Sequence, residues 1–264
     1  MPLPIPDSGL DPVQRLVQIM AALRGPDGCP WDREQTHATI RPHLVEECYE
    51  VLEAIDAGDP ALLQEELGDL LLHVAFHAQM AAERGDFTFR DVAVGIAEKL
   101  IRRHPHVFGD AAAADSGEVL KHWQEIKRQE KPERAQEGAL AGVPGHLPAL
   151  MRAQAVQKKA AQVGFDWPDA EGPRAKIAEE LEEIAAALRA GEARERVAEE
   201  VGDLLFAAVN FARHLKVDAE TALRDASAKF EARFRGVEEA ARAAGKAVGA
   251  MSLEEMEELW QRQK

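Results

Sequence analysis

The chain of 264 residues contains one short acidic sequence twice, and this repeat constrains its fold more than any other feature. Residues 65–71 read EELGDLL, and residues 199–205 read EEVGDLL. Upstream, residues 46–50 (EECYE) and 179–183 (EELEE) precede the two copies by nearly the same interval. A repeat on this scale indicates a duplicated structural unit.

Composition and periodicity both predict helices. Ala, Leu, Glu and Arg are abundant, whereas aromatic residues make up only 5% of the chain, which is typical of helices and not of strands. Apolar residues recur at helical spacing, and Gly and Pro interrupt the pattern. We therefore predict an all-α fold, a duplicated helical bundle. The predicted helices cover about residues 11–23, 39–57, 61–84, 89–103, 117–129, 148–163, 174–190, 192–215, 219–244 and 252–263.

The repeat also predicts the domain organisation. The stretch that ends at Pro148 is rich in proline and glycine, so we predict a linker at residues 131–147. An N-terminal helical unit then covers residues 1–130, and a C-terminal unit covers residues 148–264.

Charge and cysteine content limit the environment and the partners. A formal net charge of -15 argues against a general nucleic-acid surface, because phosphate backbones bind to clustered Lys and Arg. An acidic chain can still hold a free triphosphate if divalent cations bridge its carboxylates to the phosphates. Cys29 and Cys48 are too few for a disulfide framework. We expect no export signal, because MPLPIPDSGL lacks a basic region followed by an apolar core, and no membrane span, because no stretch of about 18 uncharged apolar residues occurs. We expect a cytoplasmic protein that does not bind membranes.

Each copy of the repeat carries an ExxE pair on one helix and an ExxD pair on the next. A spacing of three residues places two side chains on one helical face, so a helical hairpin would bring four carboxylates together. The two sets are Glu47, Glu50, Glu66 and Asp69, and Glu180, Glu183, Glu200 and Asp203. Four adjacent carboxylates repel unless a cation lies between them, and hard oxygen ligands suit Mg²⁺, with Mn²⁺ as a substitute. The alternative is a solvated helix face, but recurrence at matching positions favours a metal site.

Basic residues at helical spacing accompany the acids of the C-terminal unit. Lys229 and Arg233 share a face, while Lys176 and Arg196 each lie one turn before an acid of the set. Triphosphate binding is one role for them, and salt bridges to neighbouring acids are the alternative. Lys99 and Arg103 are the N-terminal equivalents of Lys229 and Arg233.

His73 and His77 replace Ala207 and Phe211 in the N-terminal unit. With Asp69 they share one helical face, which suggests a transition-metal site. Packing or hydrogen-bonding roles are favoured because no second ligand cluster is evident.

The motifs EExxE, EE(L/V)GDLL and KFxxR, together with the CPWD and GFDW loops, resemble the MazG family over nearly the whole chain. The resemblance implies a homodimeric all-α nucleoside triphosphate pyrophosphohydrolase that cleaves NTPs and dNTPs to monophosphate and pyrophosphate. The ExxE and ExxD acids would be the catalytic magnesium ligands, and the C-terminal unit the main catalyst. The implied nucleotide contacts are Lys176, Arg196, Glu199, Asp203, Lys229, Arg233 and Trp260.

Two other classes of function remain open. A di-iron carboxylate bundle requires ExxH pairs, but both copies carry ExxD, and the ExxH at Glu34 and His37 lies in the loop before the first carboxylate-bearing helix. A non-catalytic helical protein that binds nucleotide or dimerises would bind without forming product. No P-loop or Ser/His/Asp arrangement is evident, so the expected reaction is direct attack of water on phosphorus, assisted by magnesium.

Overall fold

The computed structural model describes residues 3–130 and 138–263, and within these residues it contains helices and no strand. The prediction of an all-α fold is therefore confirmed. The helices of the N-terminal part are α1 (Pro12–Arg24), α2 (Pro30–Glu34), α3 (Arg41–Ala57), α4 (Pro60–Glu83), α5 (Phe89–Arg103), α6 (Pro105–Phe108) and α7 (Ser116–Glu130). Those of the C-terminal part are α8 (Ala149–Gln162), α9 (Glu171–Ala190), α10 (Arg194–His214), α11 (Ala219–Ala243) and α12 (Leu253–Gln261), with a 3₁₀ turn at Val248–Ala250.

The chain forms two compact units, Met1–Lys127 (unit 1) and Arg128–Lys264 (unit 2). The boundary lies inside α7, close to the predicted end of the N-terminal unit at residue 130. Residues 131–137 of the predicted linker lie outside the described residues, and the domain limits at 131–147 stay a prediction. No helix in the described part of the chain has the length and hydropathy needed to cross a membrane.

Unit 1 is built on a hairpin of α3 and α4, which pack against each other. Gly58 ends α3 with a left-handed φ of 64°, a conformation that favours glycine. Asp59 begins α4 because its carboxylate accepts hydrogen bonds from the first turn. Helix α1 packs on α4. The buried core contains Met20, Ile40, Phe76 and Met80, with Leu23 and Leu72 packed against it.

Unit 2 repeats this hairpin in α9 and α10, and Gly191 ends α9 with φ 65°. Helix α8 packs on α10, and α11 packs on α8 and α12. Its buried apolar side chains are small, and they include Ala187, Ala207, Val209, Val237 and Ala241. The small side chains on α10 leave space beside the helix.

The prediction that the CPWD motif lies in a loop is wrong from Pro30 onwards. Pro30 begins the short helix α2, since proline is favourable at the first helical position. GFDW does lie in a loop, between α8 and α9.

Candidate functional site

Two groups of carboxylates stand out among the described residues. Each brings one oxygen from every member within 4.8 Å of the others, and each joins two consecutive helices. The groups are Glu180, Glu183 and Glu200 in unit 2, and Glu47, Glu66 and Asp69 in unit 1. The hairpins therefore bring together three of the four acids in each predicted set.

The fourth acid of each set lies just outside its group. Asp203 follows Glu200 by one turn of α10 and lines a cavity beside the group. Burial first, and then the charge of Glu50, raise the pKa of Glu47, so Glu50 remains next to the unit 1 group. The assignment of all eight acids as metal ligands stays a prediction.

Glu180 and Glu200 are buried, and each is 3% exposed. Lys176 Nζ lies 2.6 Å from Glu180 Oε1, and the Arg196 guanidinium forms an ion pair with Glu200 Oε1. The second oxygen of Glu180, Oε2, is buried and has no hydrogen-bond partner among the described residues. A buried carboxylate oxygen without a partner is costly, so a cation at this position would satisfy it. Together with the all-oxygen donor set, this atom fits a hard divalent ion.

Burial and neighbouring carboxylates raise the pKa of three of these acids, Glu183, Glu47 and Glu66. The pKa of Glu183 is raised by burial first, then by the charges of Glu200 and Glu180. Burial, followed by the charge of Glu50, raises the pKa of Glu47 and that of Glu66. The charged forms of these carboxylates are therefore disfavoured in the fold when no cation is bound.

The predicted basic residues divide into two sets. Lys176 and Arg196 lie at the carboxylates, and Arg196 Nη1 also lies 3.0 Å from Glu199 Oε2. Lys229 is exposed on α11. Arg233 lies over the Trp260 ring, with its guanidinium carbon 5.8 Å from the ring centroid.

Trp260 has a counterpart in unit 1 that the sequence analysis missed. The guanidinium carbon of Arg103 lies 5.1 Å from the ring centroid of Trp123, the same pairing as Arg233 with Trp260. Comparison of HWQ at residues 122–124 with LWQ at 259–261 would have revealed it. The duplication thus extends to the last helix of each unit.

A cavity of about 790 Å³ adjoins the carboxylate group of unit 2. Its wall contains Lys176, Glu180 and Asp203, which link it to the group, and side chains from the GFDW loop, α8 and α10. Lys229, Arg233 and Trp260 do not belong to this wall in the described chain. Sequence reasoning missed the cavity, although Phe206, Ala207 and Asn210 follow Asp203 at offsets that continue its face of α10.

Asp166 ties the GFDW loop to α10. Its carboxylate accepts hydrogen bonds from Arg213 Nη1 at 2.9 Å and Nη2 at 2.5 Å, and it lies 3.0 Å from His214 Nε2. The Arg213 hydrogen bond is the main cause that lowers the pKa of Asp166 to about 2. This depressed pKa stabilises the fold above the ordinary aspartate pKa, and the contribution is lost as the pH falls through about 2.

Replacement of Asp166 by Asn is expected to lower the free energy of unfolding by about 1–2 kcal/mol at pH 7. The difference in free energy of unfolding between wild type and variant should shrink as the pH falls from about 4 towards 2. Over this range the wild-type carboxyl group becomes protonated and, like asparagine, uncharged. Urea denaturation across this pH range measures it. Asp225→Asn, at an exposed position of α11, is the control and should show no such trend. A pH-independent loss in Asp166→Asn would contradict the proposed role of the charge.

Unit 1 has different side chains at the positions that correspond to the cavity wall of unit 2. On α4, Leu72, His73 and Phe76 occupy the positions of Phe206, Ala207 and Asn210 on α10. Phe76 is part of the buried core, and His73 is also buried. His73 and Phe76 are thus buried at positions where unit 2 has the smaller Ala207 and Asn210.

The histidines of unit 1 support the packing alternative over a zinc site. The Nδ1 atoms of His37 and His77 lie 2.7 Å apart, and the two rings are stacked. His73 Nε2 is 3.8 Å from Glu47 Oε1. Burial is the main cause that lowers the pKa of both His73 and His77. In the described residues, the ligand group around Asp69 includes neither histidine.

Comparison with known proteins agrees with this duplicated site. The model of the MazG nucleotide pyrophosphohydrolase domain matches twice, at residues 35–108 and 170–237, and each match contains one carboxylate hairpin. A nucleoside triphosphate pyrophosphohydrolase of Escherichia coli (strain K12) is 51% identical over 257 residues, which cover 97% of this chain and 98% of the relative. A nucleoside triphosphate pyrophosphohydrolase/pyrophosphatase MazG of Thermotoga maritima is 48% identical over 251 residues, 95% of each chain. The chain therefore belongs to the MazG nucleotide pyrophosphohydrolase family.

Proposed function

We propose that this chain hydrolyses nucleoside triphosphates, both NTPs and dNTPs, to nucleoside monophosphate and pyrophosphate. One observation carries the proposal: the buried Glu180, with an unpartnered oxygen, belongs both to a three-carboxylate group and to the wall of a cavity. A cavity of about 790 Å³ lies within the usual size range for small-molecule sites. Family membership and the names of the full-length relatives support the same activity.

The proposed metal ligands are Glu180, Glu183, Glu200 and Asp203. Bound Mg²⁺, or Mn²⁺ in its place, would neutralise phosphate charge and lower the pKa of an attacking water. Lys176 and Arg196 hold one oxygen each of Glu180 and Glu200, which orients the two carboxylates. Glu180 or Glu183 is the proposed acceptor of the proton that the attacking water loses.

The proposed phosphate contacts are Lys229 and Arg233 on α11, with Trp260 and Glu199 as further contacts to the nucleotide. Cationic side chains stabilise the charge that grows on phosphate oxygens in the transition state. Lys229 is exposed and therefore accessible to a substrate.

We propose unit 2 as the main catalyst. Four residues before Glu47 and Glu66, unit 1 has His43 and Leu62 where unit 2 has Lys176 and Arg196. His43 Nδ1 lies 2.9 Å from Glu46. The unit 1 group thus lacks both cationic partners, and Phe76 occupies the position of Asn210. Unit 1 remains a second possible metal site.

We further propose that the protein is a cytoplasmic homodimer that helps to maintain the nucleotide pool. Exposed apolar side chains on both hairpins support self-association, since large exposed apolar patches mark interfaces. They include Leu67, Leu71, Leu181, Val201 and Leu205. Sedimentation at several protein concentrations measures the oligomeric state, and a monomer at all of them would contradict this part.

The activity is tested with a panel of NTPs and dNTPs in the presence of Mg²⁺, by an assay that resolves pyrophosphate from orthophosphate. We expect pyrophosphate and the monophosphate in equal amounts. Nucleotide binding without product would favour the non-catalytic alternative. Stoichiometric iron in the purified protein would favour the di-iron bundle.

Mg²⁺ alone is expected to raise Tm at pH 7.5, by about 2–4 °C per kcal/mol of binding free energy. The rise should be smaller at pH 5. The pKa of Glu183 is raised, so the folded protein binds this proton more tightly than the unfolded chain does. Ionisation of Glu183 therefore destabilises the metal-free fold as the pH rises. At pH 5 protons compete with Mg²⁺ for the carboxylate, which is why the rise in Tm is smaller there.

Two neighbouring variants separate this effect from general charge loss. Glu183→Gln should raise the metal-free Tm at pH 7.5 and reduce the Mg²⁺ response. Glu182→Gln, at an exposed position one residue away that pairs with Arg189, should keep the response. Equal responses in both variants would contradict the assignment of Glu183.

A further inference from the structure

Gln157 on α8 is 5% exposed, yet only one end of its side-chain amide forms a hydrogen bond within the described residues. Its Nε2 donates to the carbonyl oxygen of Phe206 at 2.8 Å. This bond determines the orientation of the amide, because only the NH₂ group can donate to a carbonyl. The other atom, Oε1, is buried and has no hydrogen-bond partner among the described residues. Such an acceptor calls for a donor from outside the chain.

Gln157 belongs to the wall of the unit 2 cavity, and so does a second buried amide, Asn210. Arg213 donates to Asn210 Oδ1 through Nε at 3.0 Å and through Nη2 at 2.6 Å. The oxygen of Asn210 is therefore occupied, and its Nδ2 group is the part that can donate to a ligand. The wall thus carries one amide acceptor and one amide donor.

The remaining wall is largely apolar and aromatic. Phe165, Trp167 and Phe206 belong to it. A Cβ at Gly172 would lie 2.1 Å from Trp167 Cδ1, so the missing side chain lets the indole ring lie against the start of α9. Flat apolar surfaces with a few placed polar groups are what a heteroaromatic ligand requires.

Resting on the proposed function, we infer that this cavity holds the nucleobase, and that Gln157 Oε1 accepts a hydrogen bond from a base N–H group. Each of the common bases carries such a donor, so the contact is compatible with several NTPs. Glu180 and Asp203 lie on the same wall, which places the phosphate tail at the carboxylates when the base is in the cavity. Trp260 is outside this wall and packs on Phe230, with ring centroids 5.1 Å apart, so its proposed contact is with a part of the nucleotide other than the base.

Gln154 offers a matched control. It lies one turn before Gln157 on α8 and is also 5% exposed, but both ends of its amide have partners in the chain. Its Oε1 accepts from the Ala219 N–H at 3.0 Å, and its Nε2 lies 3.5 Å from the Val217 carbonyl oxygen. It is not part of the cavity wall.

The test compares Gln157→Met and Gln154→Met in the full chain, with ATP and CTP as substrates. Gln157→Met should raise KM about tenfold, because one buried acceptor no longer pairs with the base. Inhibition by pyrophosphate, which has no base, should be unchanged. Gln154→Met should lower Tm without changing KM. An unchanged KM in a folded Gln157→Met variant, or an equal change in both variants, would overturn the inference.

A measurement on the wild-type chain covers the case in which Gln157→Met does not fold. Calorimetric titration should show that AMP binds at least about tenfold more tightly than ribose 5-phosphate, and equal affinities would overturn the inference. These titrations need no turnover. Absence of pyrophosphate release would therefore refute the proposed function, whereas the AMP comparison decides the base site separately.

Discussion

Glu180→Gln is expected to lower the rate of pyrophosphate release by roughly 10²–10³-fold, the scale seen when one group that stabilises transition-state charge is removed. The amide removes the negative charge beside Lys176 and replaces one carboxylate oxygen with an NH₂ group that cannot bind a cation. Helix content measured by circular dichroism should be unchanged, since the substitution preserves shape.

Two other glutamates serve as references for this variant. Glu182→Gln changes an exposed residue of the same helix and should keep wild-type turnover. Glu47→Gln changes the equivalent position of unit 1 and should also keep most of it, because the unit 1 hairpin lacks the cationic partners of unit 2. Full activity in Glu180→Gln would refute the proposed site, and loss in Glu47→Gln would show that unit 1 takes part in turnover.

Asn210→Phe is expected to raise the KM for every nucleoside triphosphate by about tenfold or more, because a benzyl group would enter the cavity beside the carboxylates. This substitution places on α10 the residue that unit 1 has at the equivalent, buried position, Phe76. Binding of pyrophosphate, measured as inhibition, should change far less.

Asn210→Leu separates filling of the cavity from loss of the amide. Leucine adds less volume than phenylalanine, so its effect on KM should be the smaller of the two. Tm measurements show whether either variant loses stability through the broken hydrogen bonds to Arg213. Equal KM values for Asn210→Phe and wild type would show that the substrate does not use this cavity.

Local signals made most of the helices predictable. The Gly58-Asp59-Pro60 sequence marks the end of α3 and the start of α4 because glycine accepts the left-handed conformation and aspartate caps the next helix. The same logic predicted Gly191 between α9 and α10. The local signals did not predict the short helix that begins at Pro30, because the CPWD motif was expected to form a loop.

The candidate site was predictable only where it follows helical spacing. Glu180 with Glu183 and Glu47 with Glu50 are pairs that spacing places on one face, and the hairpins bring three acids of each set together. Spacing does not determine side-chain rotamers or burial. It therefore could not distinguish Asp203, which lies outside its group, from Asp69, which lies within one.

The sequence by itself determined the all-α class, the duplication and the family, and it predicted the acids of the candidate site, because helical periodicity, capping and repeated motifs are properties of neighbouring residues. Only the tertiary structure decided that Glu180 is buried with an oxygen that has no partner among the described residues, and that unit 2 has a cavity beside its carboxylate group. Both depend on how α8, α9, α10 and the GFDW loop pack together. Burial and free volume are set by side chains distant in sequence, so no local pattern records them.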